Sequence, residues 1–242
     1  MTMSFNPRWI EGKWNKKRYQ VHRELGRGTT GIVYLVTHRQ AAYALKLGED
    51  PLSISAEVNI LRKFQGDPAI VGLTVFDVDD WEEPGRVRPF YVMNVIEGMS
   101  LSSFVQERGK AWVPVLIIQL LDFLQALHQE GFVFGDLKPE NLKVCGQPPR
   151  LAWLDPGGIT KMGWAIKEYT EPFDRASWQM GDRRAEPAYD LFSLALIFIS
   201  LYTGQSLKPL PINAGEDNRE TLRAYIFQHS ALKFYREPLW KA

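Results

Sequence analysis

The pattern of apolar positions along the chain reads as five β-strands, near 18–25, 32–37, 41–47, 73–78 and 88–95. Between the third and fourth, Glu57-Val58-Asn59-Ile60-Leu61-Arg62-Lys63-Phe64 repeats its apolar residues at helical intervals, which predicts a helix over 54–64. From Val113 onward the period lengthens for good: Val115, Ile118, Leu121, Leu124 and Leu127 predict one long helix. A second long helix begins at Asp190 and runs through Leu191 to Leu201, apolar on nearly every side and therefore buried. Beyond Thr203 the pattern weakens to a Pro- and Gly-containing loop over 206–217, a modest amphipathic helix from Arg219 to Phe227, and a last helical segment that includes Trp240-Lys241-Ala242. No internal repeat or low-complexity segment interrupts this order.

Chemistry concentrates between the two long helices. Gly135-Asp136-Leu137-Lys138-Pro139-Glu140-Asn141 is followed fourteen residues later by Asp155-Pro156-Gly157. Phosphoryl transfer needs a carboxylate to orient the attacking hydroxyl and take its proton, together with cations to stabilise a spread, multiply negative transition state. Asp136 is the candidate base, and Lys138 stands ready to neutralise the moving group. Asn141 and Asp155 offer the oxygen ligands that a hard cation such as Mg²⁺ prefers.

Upstream, Leu25-Gly26-Arg27-Gly28-Thr29-Thr30-Gly31-Ile32-Val33-Tyr34 is a glycine-rich turn between two strands. Glycines let backbone amides approach phosphate oxygens closely, although the same pattern alone also suits an ordinary hairpin. Its surroundings narrow the choice. The strand Ala41-Ala42-Tyr43-Ala44-Leu45-Lys46 places a lysine fifteen residues after Gly31, and Glu57 on the following helix is its candidate partner.

Composition removes several other classes. With 242 residues and 45% hydrophobic content the chain can bury a sizeable core, and a net charge of +1 excludes a polyelectrolyte. The single cysteine, Cys145, rules out an intrachain disulfide and reads as an inert strand residue, while the four histidines lack metal-ligand spacing. His128 reads as the end of a helix. Lys13, Lys16, Lys17, Arg18 and Arg23 form a basic cluster that reads first as a solvated β-edge and second as an anion-binding patch. The start Met1–Pro7 lacks the charged-then-apolar plan of a signal peptide, and the twelve-residue apolar stretch Leu191–Tyr202 falls short of the ~18 needed to span a bilayer. A soluble, reducing, cytoplasmic-side setting follows as the expectation.

Together these motifs, from about Leu25 to Thr203, resemble those of the Hanks-type (eukaryotic-like) serine/threonine protein kinases of bacteria. The match runs through Gly26, Gly28, Gly31 and Val33 in the loop, then Lys46, Glu57, the Asp136, Lys138 and Asn141 set, and Asp155 with Gly157. The resemblance implies an α+β, bilobal protein-kinase-like fold: a five-stranded antiparallel N-lobe with one αC helix over 1–93, a hinge over 94–98, and a mainly helical, shortened C-lobe over 99–242. It implies ATP and Mg²⁺ as cofactors, Lys46 on the nucleotide phosphates, and Glu57 orienting it. Ala44 and Val33 lie beside the nucleotide, Met93 is the gatekeeper, Asn94 and Ile96 meet adenine, and Ser100 is near the ribose. Asp190 is expected to anchor the catalytic loop from below, and Lys138 favours Ser/Thr over Tyr acceptors. Protein substrates and autophosphorylation follow.

More narrowly, Phe134-Gly135-Asp136, Ile166-Lys167-Glu168-Tyr169-Thr170-Glu171 and Tyr189-Asp190-Leu191-Phe192 resemble the small sporulation-associated kinases of endospore-forming bacteria. Those relatives continue into a basic tail and a single membrane helix, which implies nucleic-acid or anionic-membrane contact through a segment outside this chain.

Four positions depart from the family pattern. Gly135 replaces the arginine that usually receives a phosphorylated activation loop, which makes the chain a non-RD type. Pro156 replaces the phenylalanine of D-F-G, and Phe134 is the candidate to supply the lost aromatic bulk. Ile166 stands where the aligned pattern has threonine, and Lys143 where an aliphatic residue usually lies beneath adenine. A pseudokinase or regulatory ATP-binding module, and a small-molecule kinase of the same fold, are the alternative readings.

Overall fold

The computed structural model describes residues 8–66, 72–83, 85–211 and 217–242. Met1–Pro7, read above for a signal peptide, and residues 212–216 of the loop after Thr203 lie outside them. The chain divides into two compact units, the second spanning Gly98–Ala242.

The first unit holds β1 (Trp9–Glu11), β2 (Arg18–Arg27), β3 (Gly31–His38), β4 (Ala41–Gly48), α1 (Pro51–Phe64), β5 (Val75–Glu83) and β6 (Arg86–Met93). Its sheet runs β1-β2-β3-β4-β6-β5, with every neighbouring pair antiparallel. The expectation of five strands is therefore corrected to six among the described residues. The extra strand β1 is three residues long, too short to show a period in the sequence. It pairs because Ile10 is fully buried in a cluster with Tyr19, Ile32, Tyr34, Leu45, Leu47, Trp81 and Phe90. An antiparallel bridge between Gly12 and Trp81 also ties the end of β1 to β5, so the two outer strands of the sheet meet.

Helix α1 starts earlier than its apolar period, at Pro51. Asp50 caps it, accepting from the backbone N–H groups of Leu52 and Ser53 at 3.2 and 2.9 Å, and proline suits the first helical position. Its buried face, Ile54, Glu57, Val58, Leu61 and Phe64, carries one charged residue among apolar ones.

In the second unit come β7 (Met99–Ser100), α2 (Leu101–Arg108), α3 (Trp112–Gln129), β8 (Phe132–Val133), β9 (Leu142–Cys145), β10 (Arg150–Trp153), β11 (Thr160–Lys161), α4 (Pro187–Thr203), α5 (Asn218–Gln228) and α6 (Arg236–Lys241). The long helices lie where the spacing put them. On α3, however, Val115, Ile118 and Leu121 are exposed, and the buried face is Val113, Leu116, Ile117, Leu120, Phe123, Leu124 and Leu127. Apolar residues lie on both sides of the first turns of α3, so what packs on the helix selects its inner face. Helix α4 is buried along most of its length and ends at Gly204 in the left-handed conformation that glycine adopts freely. Phe134 packs edge-on against Phe123 and Trp153, 5.8 and 6.3 Å between ring centres, so the aromatic residue preceding Gly135 belongs to the core.

Candidate functional site

Within the first unit, β4 sets Lys46 directly across from Tyr91 of β6 on one side and Val33 of β3 on the other. The Lys46 ammonium donates to Glu57 at 2.8 Å, and the Tyr91 hydroxyl donates to the second Glu57 oxygen at 2.8 Å. Lys46 and Glu57 are each 4% exposed. A buried charge pair is tolerated only when further hydrogen bonds satisfy it, and Tyr91 supplies one.

The three glycines of the loop differ in their reasons. At Gly31 a Cβ would stand 2.4 Å from the Leu47 carbonyl oxygen, so the close approach of β3 to β4 demands glycine. Gly26 and Gly28 face open space, with no atom within 4 Å of a built Cβ. The Gly28 N–H closes the turn on the Gly31 carbonyl at 2.9 Å. Ala44 and Met93 are paired across β4 and β6 and both are buried. Asn94 exchanges bonds with Thr74: its N–H donates to the Thr74 carbonyl at 3.2 Å, and its Oδ1 accepts from the Thr74 N–H at 2.6 Å. Ile96 is buried.

The second unit gathers the catalytic-loop residues. Asp190, fully buried at the start of α4, accepts the backbone N–H groups of Phe134 and Gly135 at 2.8 and 3.0 Å, and its Oδ2 lies 2.8 Å from His128 Nε2. His128 therefore sits in the last turn of α3 as expected and also links that helix to the loop anchor. Gly135 has φ +82°, and a Cβ there would lie 2.5 Å from the Gly158 carbonyl oxygen. Any side chain at this position requires the loop to move.

Asp136 faces two partners. Lys138 Nζ lies 2.5 Å from its Oδ2, and the Thr170 hydroxyl donates to its Oδ1 at 2.7 Å. Lys138 also donates to Thr170 Oγ1 at 2.9 Å, which closes a triangle of acid, amine and hydroxyl. The alignment that put Ile166 in the threonine position is corrected here. Ile166 is buried in an apolar cluster with Val133, Ala185 and Tyr189, whereas Thr170 supplies the hydroxyl. Only a contact between residues 34 positions apart distinguishes the two, and it leaves no local signal.

The β9–β10 hairpin explains the spacing between Asn141 and Asp155. Leu142 pairs with Trp153, so the next pair outward bonds the Leu154 N–H to the Asn141 carbonyl at 3.0 Å, and Asp155 follows at once. Asn141 spends its amide nitrogen on the Asp136 carbonyl at 2.9 Å, which leaves its Oδ1 as the oxygen donor of that side chain. Asp155 Oδ1 accepts the Gly157 N–H at 3.0 Å. This donor set of one amide oxygen and one carboxylate fits Mg²⁺. Ser100 acts locally as the cap of α2, accepting the Ser103 N–H at 3.1 Å, and pairs across from Lys143. Cys145 lies in β9, half-buried, with its thiol pushed up by burial, which fits an unreactive residue.

A sheet-and-helix unit carrying a buried Lys–Glu pair, joined to a helical unit carrying this acid–amine–hydroxyl triangle, defines a protein kinase. The chain matches the protein kinase domain family over residues 19–237 and belongs to it. It is 43% identical over 236 residues to the serine/threonine-protein kinase YabT of Bacillus subtilis (strain 168), covering 96% of this chain and 68% of that protein. The serine/threonine-protein kinase Pkn1 of Myxococcus xanthus is 30% identical over 215 residues, 81% of this chain and 29% of that protein. Among solved structures, the Cydia pomonella granulovirus kinase PK-1 superposes with a TM-score of 0.62 at 19% identity, covering 84% of this chain and 74% of that one, a likeness of fold. The chain is a protein kinase of the Hanks-type bacterial serine/threonine group, with the α+β kinase fold.

Proposed function

We propose that the chain transfers the γ-phosphoryl group of ATP to serine or threonine hydroxyls of proteins, itself included, with Mg²⁺ bound at Asn141 and Asp155. The observation that carries the reading is the Asp136–Lys138–Thr170 triangle standing beside those two oxygen donors. Asp136 takes the proton of the acceptor hydroxyl as the new O–P bond forms and the bond to the leaving diphosphate breaks. Lys138 offsets charge on the group in transit. Bound Mg²⁺ supplies neutralisation of the phosphate oxygens. In the first unit, Lys46 is assigned to the α/β-phosphates with Glu57 orienting it, and Gly26, Gly28, Gly31 and Val33 to the loop over the phosphates. Ala44, Met93, Asn94 and Ile96 are assigned to the adenine side, and Ser100 to the ribose.

Activation without the usual arginine is part of the same proposal. Gly135 offers no cation to a phosphorylated loop, and its left-handed backbone favours glycine. The reading also takes in a basic segment and a membrane anchor in a longer chain, and a role in sporulation. Among the described residues no helix is long and apolar enough to cross a membrane. The N-terminal basic cluster is largely spent on ion pairs, Lys13 with Glu82 at 2.7 Å, Lys17 with Asp77 at 3.1 Å and Arg18 with Glu11 at 3.2 Å, which supports the solvated-edge reading over an anion site.

The test is to incubate the purified chain with Mg-ATP and a mixed protein substrate, then map products by mass spectrometry. Phosphoserine and phosphothreonine are expected, and none from Asp136→Asn or Asp155→Ala protein. Transfer by either variant at the wild-type rate would refute the assignment.

A further inference from the structure

Asp174 lies four residues beyond Thr170, and its side chain is wholly withdrawn from solvent. Its carboxylate accepts from Arg183 at 2.7 Å (Nη2) and 3.0 Å (Nε), from the Ser177 hydroxyl at 2.7 Å, and from the Tyr189 hydroxyl at 2.7 Å. Burial alone would raise this carboxyl. The bonds from Ser177, Tyr189 and Arg183, with the guanidinium charge, outweigh it and hold the group below the ordinary aspartate range. Arg183 in turn is pushed up by its bond to Asp174. Both are charged at neutral pH.

The clamped guanidinium lies 3.8 Å over the ring of Tyr169. Tyr169 immediately precedes Thr170, whose hydroxyl bridges Asp136 and Lys138. Further ties keep the segment from sliding: the Ile166 N–H donates to the Arg183 carbonyl at 2.8 Å, Trp178 Nε1 to the Pro172 carbonyl at 2.9 Å, and Ser193 Oγ to the Phe173 carbonyl at 2.7 Å. An activation segment ordered by phosphorylation needs an added anion and a cation to receive it. Here the anion is already present in the chain, as Asp174, and its cation is only nine residues away.

We infer that Arg183 is a positioning residue for phosphoryl transfer, clamped by Asp174 and stacked on Tyr169 so that Thr170 is held against Asp136 and Lys138 with no phosphate on the segment. This rests on the kinase reading above. Arg183 touches no reacting atom and acts through Tyr169 and Thr170. Lysine in its place keeps the charge and loses the planar face, so Arg183→Lys tests the stack without abandoning the buried carboxylate.

The full chain is treated with a protein phosphatase, shown to be unphosphorylated by intact mass, and assayed in single-turnover and steady-state modes. The treated wild type is expected to keep its kcat within about twofold. Tyr169→Ala and Arg183→Lys are each expected to lose about two- to fivefold in kcat with the KM for ATP unchanged, and Tyr169→Ala with the melting temperature unchanged as well. Tyr169→Phe, which restores the ring, is expected to recover most of the loss, and the double variant to be no slower than either single one. Loss of activity on dephosphorylation, or a wild-type kcat in Tyr169→Ala, overturns the inference. An untreated wild type that phosphorylates nothing overturns instead the kinase reading beneath it.

Discussion

The Thr170 hydroxyl donates to Asp136 Oδ1 at 2.7 Å, so one oxygen of the candidate base is occupied by a residue far along the chain and the other by Lys138. The candidate base is thus held from both sides before a substrate arrives. In the proposed reaction a hydroxyl substrate approaching Asp136 would find the carboxylate already aimed, the kind of pre-organisation that lowers a barrier without new binding energy.

Removing that hydroxyl gives the first prediction. Thr170→Ala removes two hydrogen bonds to charged groups, each about 1.5–3 kcal/mol, which is roughly 10- to 100-fold in rate if one of them is felt in the transition state. We expect the loss in kcat, with the KM for ATP little changed and Thr170→Ser recovering most of the activity. Steady-state kinetics on a protein substrate checks it; a fall confined to KM would place Thr170 in substrate binding instead.

A second prediction concerns the buried pair of the first unit. Lys46→Met leaves Glu57 buried with Tyr91 but without its cation, a loss of about 3–5 kcal/mol for a broken buried pair. The double variant Lys46→Met/Glu57→Gln removes both charges and is expected to regain most of the stability and none of the activity. Thermal unfolding followed beside the transfer assay separates the two effects; equal stability of the single and double variants would contradict it.

Acid stability depends on Asp174. Its folded value is depressed below the ordinary aspartate value near 3.9, so its contribution is present above about pH 4 and is lost as pH falls through the depressed value. Asp174→Asn should therefore be less stable than the wild type at pH 7, and the gap should close below pH 4. Urea midpoints measured between pH 3 and pH 7 would show this, and a gap that widened on acidification would sink it.

Gly135→Ala provides the fourth. A residue with φ +82° and a Cβ 2.5 Å from the Gly158 carbonyl oxygen loses about 1–2 kcal/mol from the left-handed backbone alone. Lower stability and slower transfer are expected together, because Gly135 N–H is held by Asp190 beside Asp136. A variant with an unchanged melting temperature would mean that the loop relaxes freely.

Much of this was legible in the order of residues. The spans of β2 to β6, the helical spacing within α1, the long apolar run of α4 and the order Asp136, Lys138, Asn141, Asp155 could all be read along the chain. Those signals are local, carried by backbone preferences and side-chain spacing within a few residues. Others have no local trace: β1, which pairs because Ile10 finds the core; the inner face of α3, whose first turns are apolar on both sides; and the choice of Thr170 over Ile166 at Asp136.

The order of residues sets which chemical groups are present and which elements carry them, because residue type and spacing act through near neighbours. The tertiary structure alone decided which hydroxyl meets the base and which cation meets Asp174. Those partners lie 34 and nine residues away, and only packing in three dimensions brings them within a hydrogen bond.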